Sequence, residues 1–185
     1  MTACLARLRR AVTAEPGSVP QVWADTLGAL PPELVPQGRW SDDSPTDYER
    51  AAHEAITLYA LHQQSKSTAA HQPGISLGAA ARRLVKATGR DEAVRNRFQA
   101  VATAGSAAGV SHHLRALIML LRTENIPLDY SQLAVDLRQL HSRTSADRVR
   151  LRWGRDFHRA TTADTDTPAE HDQTSTSDTR NEDHA

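Results

Sequence analysis

An all-α fold is what this 185-residue sequence predicts: a bundle of about six to eight helices, in one body or two lobes. Three observations predict it. Aromatic residues make up only 4 % of the chain while Ala, Leu and Arg abound, a balance that suits helices better than sheets. Apolar residues recur at three- and four-residue spacings from about residue 46 to residue 157. No segment sustains the period-2 alternation of a half-buried strand. The length suffices for a core of its own.

The elements follow in order. "MTACLARLRRAV" carries arginines but lacks the roughly 7–15-residue apolar stretch of a secretory signal. Nor does any apolar run reach the roughly 18–20 residues of a membrane span, so the expected compartment is the cytoplasm. The single cysteine, Cys4, excludes an internal disulfide. Residues 13–46 are rich in Pro and Gly and read as an irregular N-terminal arm. Within it Trp23, Leu27 and Leu30 allow one short helix, stopped by "PPELVP".

Thr46 and Glu49 then form a capping-box pattern. Behind it Ala52, Ala55, Ile56, Tyr59 and His62 make one apolar face of a helix that fades near Ser65. After a polar loop, Ser76 is a suitable N-cap, and Gly89 in "ATGRD" a C-terminal glycine. Val94, Phe98 and Val101 mark the next helix, which starts near Asp91. "AGSAAGVS" breaks the pattern, with Ser111 as the expected cap of the helix carrying Leu114, Leu117, Ile118 and Leu121. Pro127 stiffens the following connector. Leu133, Leu137 and Leu140 define another helix, and Val149, Trp153 and Phe157 the last. From Ala160 onward almost nothing is apolar, so residues 1–160 form the domain and 161–185 a disordered acidic tail.

Catalytic and cofactor motifs are absent. "GISLG" at 74–78 lacks the Lys-Ser/Thr of a phosphate-binding loop, and no strand precedes it as a dinucleotide fingerprint requires. Nine histidines include no His-x-x-x-His pair, and no Cys-x-x-Cys exists. His112 and His113 diverge by about 100° on a helix and cannot share an ion. Surface or half-buried histidines explain the set. No cofactor, metal or catalytic constellation is expected.

Charge carries the functional signal. The net charge is zero, yet residues 1–160 hold 21 basic against 15 acidic side chains, a balance of +6. Residues 161–185 hold seven acids and one arginine, a balance of −6. Between 82 and 97 lie six basic residues (Arg82, Arg83, Lys86, Arg90, Arg95 and Arg97) and two acids. Leu77, Ala80, Ala81 and Leu84 form the buried stripe of that first helix, which leaves its basic residues on the other side. From Arg138 to Arg159 there are seven arginines and two acids. A solvated face normally mixes both signs, whereas these are lopsided. Arginine's planar fork suits phosphate, so the surface points to nucleic-acid backbone contacts without sequence reading. Scarce aromatics argue against base stacking.

The order and spacing of "GISLG" at 74–78, "RF" at 97–98, "HLRALIMLLR" at 113–122, "IPLDYSQLAVDL" at 126–137 and "RVRLRWGRDF" at 148–157 carry a resemblance. With "LYALHQ" at 58–63, they make residues 20–158 similar to the small subunit of the type I-E CRISPR surveillance complex, Cascade (the CasB family). The resemblance implies an all-helical, non-enzymatic subunit, two copies of which pair head to tail. Its partners would be the backbone and large subunits of Cascade, the guide RNA, and the target and displaced strands of the R-loop; no membrane is involved. By match to family motifs, Arg97, Arg115 and Arg148 are the implied contacts. Arg82, Arg83, Lys86, Arg90, Arg95, Arg122, Arg138 and Arg143 join them on charge and helical spacing. The acidic tail departs from the family's common pattern; keeping the subunit soluble is the simpler explanation, shielding of the basic face the other.

Two further hypotheses stand beside this one. "KATGRDEAVRNRF" could be the turn and recognition helix of a stand-alone helix-turn-helix regulator, although Val94 and Phe98 fit a core stripe. A small helical enzyme lacks any site.

Overall fold

Thr46 starts the helix around which much of the chain packs. In the computed structural model, which describes residues 2–35, 44–140 and 142–159, its hydroxyl accepts from the Glu49 amide at 3.2 Å. The Glu49 carboxylate accepts in turn from the Thr46 amide at 2.7 Å, completing the capping box. Seven α-helices run through the described residues: α1 (Thr2–Arg10), α2 (Asp47–His62), α3 (Leu77–Thr88), α4 (Asp91–Thr103), α5 (Ala107–Thr123), α6 (Tyr130–Leu140) and α7 (Arg143–His158). The described residues contain no strand, only an isolated parallel bridge between His71 and Leu128. The predicted tail, 161–185, lies outside the described residues.

Helix α2 contacts α1, α5 and α6. It therefore buries Ala51, His53, Ala55, Thr57, Leu58, Ala60 and His62, nearly all round its circumference. The single stripe expected from the sequence is too narrow: Ala52, Ile56 and Tyr59 are only half-buried. Small Ala and Thr side chains admit close neighbours on faces that an apolar period does not mark. His53, expected at or near the surface, is buried, and His62, placed on the apolar face, is buried with it. The main core joins Leu58, Leu84, Phe98, Leu117, Leu133 and Trp153 from six helices. A second cluster, Leu8, Ala11, Val22 and Ala60, lies between α1, its following turn and α2.

Three local expectations are corrected. Helix α1 is an addition to the predicted elements; at nine residues it is too short to stand alone, and docking on α2 holds it. The arm has no short α-helix around Trp23. It has three single 3-10 turns, Pro20–Val22, Leu27–Ala29 and Pro32–Leu34, the first and last opened by a proline. Trp23 stays exposed and donates its indole N–H to the Gly17 carbonyl at 2.8 Å. Finally, Ser106, not Ser111, caps α5: its hydroxyl accepts from the Gly109 amide at 3.1 Å, and Ser111 lies inside the helix. Two alanines after Ser106 support a helical first turn despite Gly109.

Candidate nucleic-acid interface

The geometry of α3 sets the basic face. Ser76 caps it by accepting from the Ala79 amide at 3.2 Å, and the same hydroxyl donates to the Asp156 carboxylate of α7 at 2.7 Å. Gly89, with φ of +66°, ends the helix in the left-handed region. Leu77, Gly78, Ala80, Ala81 and Leu84 face inward. Arg83 and Lys86 are exposed, and Arg90, also exposed, follows just past the end. Arg83 and Lys86, three residues apart, share one face of the helix, and Arg90 lies beyond the Gly89 turn at the start of α4. Arg82, also on α3, is half-buried.

Arg90 and Arg97 are brought together. Both line a groove of about 370 Å³ between α3, α4 and α5, with Leu84, Val94, Leu120 and Glu124 among the other walls. Arg97 is exposed and reaches back only as far as the Ala93 carbonyl of its own helix, at 3.4 Å.

Other predicted residues are engaged in holding the fold. Arg95 pairs with Asp91 at 2.8 Å and stands 5.9 Å from the centre of the Phe157 ring. Arg122 donates to the Gln64 carbonyl at 3.2 Å, tying α5 to the end of α2. Arg138 lies 4.9 Å over the Tyr48 ring and donates to its hydroxyl at 3.3 Å. Arg115 is half-buried and lines a separate cavity of about 410 Å³ with Arg50, His53, Glu54 and Ser111. Arg148 is exposed on α7. Arg143 opens α7, and its side chain lies outside the described residues. The predicted set is thus not one patch.

Sequence reasoning missed Arg50 and Asp136. Arg50, on α2, lies outside both basic runs, so counting charge along the chain passed over it. Asp136 is fully buried and accepts from the Gln132 side-chain amide at 2.7 Å, the Trp153 indole at 2.6 Å and the Arg152 guanidinium. Burial pushes its carboxyl above the ordinary range, against the opposing pull of these donors. An acid beside Leu133 and Leu137 in an apolar stripe was the available signal. Burial also pushes Glu54 up to about 7, against the opposing pull of the Ser111 hydroxyl. His62 is lowered to about 4 by burial first, then by Lys66 and Arg122.

Among the described residues no group of three His, Cys, Asp or Glu side chains could hold a metal ion. No described helix is long and apolar enough to cross a membrane.

The family model for CRISPR-associated protein Cse2 matches residues 4–158. The crystal structure of CasB from Thermobifida fusca is similar at 38 % identity and a TM-score of 0.68, covering 85 % of this chain and 85 % of that one. The crystal structure of a Cse2-family CRISPR-associated protein from Thermus thermophilus is similar at 25 % identity and a TM-score of 0.62, covering 84 % of this chain and 85 % of that one. No curated protein matches.

Proposed function

This chain belongs to the CRISPR-associated Cse2 family, and from that premise we propose that it is the non-catalytic, nucleic-acid-binding small subunit of a type I-E Cascade complex. In this role it supports the guide RNA and target DNA, and the displaced strand of the R-loop. It pairs with a second copy and adjoins the backbone and large subunits. The observation that supports the binding role is the exposure of Arg83 and Lys86 on one face of α3, with Arg90 and Arg97 exposed together at the adjoining groove. Guide-dependent duplex opening is a nearly balanced exchange, so a few phosphate contacts suffice to tip it. Such contacts position a strand and read no sequence.

The helix-turn-helix alternative fits less well. Helix α4 would be its recognition helix, yet Val94, Phe98 and Val101 are buried and the first turn carries Asp91 and Glu92. Those carboxylates would be presented toward DNA phosphates and repel them.

Co-purification tests the assembly: the chain should retain helical-backbone subunits and a guide RNA. Titration of labelled oligonucleotides at two salt concentrations tests the binding, which should be weak, salt-sensitive and indifferent to sequence. A sharp preference for one duplex sequence would overturn this reading in favour of the regulator.

A further inference from the structure

We propose that the acidic segment 161–185 competes with nucleic acid for the basic face of α3 and α4, acting as a polyanion built into the same chain. The competition rests on the binding role proposed above.

Three observations carry it. The first is where the chain leaves the folded body. Phe157 stacks on Phe98 of α4 with ring centres 5.0 Å apart, and Arg95 of α4 stands 5.9 Å from the Phe157 ring centre. Asp156 is bonded to Ser76 at the start of α3. The end of α7 is therefore anchored against the two helices that present Arg83, Lys86, Arg90 and Arg97. The second is charge. Residues 161–185 carry −6 and residues 1–160 carry +6, so the segment matches the excess of the body in magnitude and opposes it in sign.

The third is reach. The seven acids fall between Asp164 and Asp183, that is 5 to 24 residues beyond Arg159. At no more than about 3.3–3.6 Å per residue, a stretch of that length can bridge up to about 17 Å for the nearest acid and about 80 Å for the farthest. Helix α3, with 12 residues, is about 18 Å long. Tethering at this distance gives an effective concentration on the order of millimolar, enough for weak carboxylate–guanidinium attraction to compete with weak phosphate binding. No folded structure of the segment is needed. A strand held by many phosphates displaces it, whereas a stray oligonucleotide does so less readily. The device would make the free subunit a poor non-specific binder.

The test uses the full-length chain, with all seven acids of 161–185 replaced by their amides. Binding of a labelled single-stranded oligonucleotide should tighten about three- to tenfold at low salt, with less than about a twofold difference at high salt, where both attractions are screened. Equal affinity of the two forms at low salt overturns the competition and leaves the binding role intact. A second readout needs no nucleic acid. The chain has two lysines, Lys66 and Lys86, and carbodiimide coupling joins carboxylates to lysine amines on contact. Lys86 lies on the proposed face, while Lys66 is bonded to Asn125 beyond the end of α5, at 2.6 Å. Cross-links from the segment should favour Lys86 and fade with added salt. Their absence, or equal coupling to Lys66, would overturn docking on this face. Cross-links to Lys86 in a chain that binds no nucleic acid would sustain the docking and sink the binding role.

Discussion

Gly78 of α3 and Trp153 of α7 meet at their backbones: a Cβ placed on Gly78 would collide with the Trp153 carbonyl oxygen. The contact lets two helices approach as closely as their backbones allow. It also seats the fully buried Trp153 ring in the core. Arg83 and Lys86 of the same helix lie outside this seam, exposed.

Gly78→Ala should therefore destabilise the protein by about 2 kcal/mol or more, because backbone rather than a flexible side chain has to move. Gly154 is the control. It lies in α7 with nothing within 4 Å of where a Cβ would stand, so Gly154→Ala should stabilise by about 0.5–1 kcal/mol through helix propensity. Denaturant unfolding of both variants checks the pair.

Asp136 holds α6 to α7 by accepting from Arg152 and Trp153. Asp136→Ala leaves the buried Trp153 indole without its acceptor, whereas Arg152, 39 % exposed, can turn to solvent. A loss of about 1–3 kcal/mol is expected, with Trp153 fluorescence reporting the loosened seam.

Glu54 and His62 oppose each other in their pH dependence. Glu54 is raised from 4.5 to about 7, so the folded chain holds more protons than the unfolded one in that window, and stability falls as pH rises through it. His62 is lowered from 6.5 to about 4, so the folded chain holds fewer protons there, and stability falls as pH drops from about 6.5 toward 4. The two contributions offset one another between about pH 4.5 and 6.5. Glu54→Gln should leave only the His62 dependence in the variant, and its stability relative to the parent, which isolates the Glu54 contribution, should grow from about pH 4.5 and level off above about pH 7. Unfolding free energies across that range provide the check.

Arginines on the proposed interface and those inside the fold should separate cleanly. Arg90→Ala with Arg97→Ala should leave the melting temperature within about 2 °C, as surface changes do. It should lower the slope of log affinity against log salt by about 1.4–1.8, the equivalent of two phosphate contacts. Arg122→Ala should lower the melting temperature, because its partner is the Gln64 carbonyl rather than a ligand. Thermal melts and salt titrations on the same preparations distinguish the two classes.

The helices were legible because their signals are local. The Thr46–Glu49 box, the Ser76 cap and Gly89 each act within four residues, and the stripes of α4, α5 and α7 follow one period. What the local pattern misses is governed by distant neighbours. Helix α1 depends on α2 for its burial, and the circumference of α2 is buried because three helices surround it.

By itself, then, the sequence determined the helical class, the main caps, the core stripes, the segregation of charge and the family resemblance. Only the tertiary structure decided which positive charges are presented outward. Arg122 and Arg138 find their partners 58 and 90 residues away in the chain, and Arg152 is drawn to a buried carboxylate on another helix. A guanidinium's charge is written in the sequence, but whether a carbonyl, a ring or solvent faces it depends on how the helices pack.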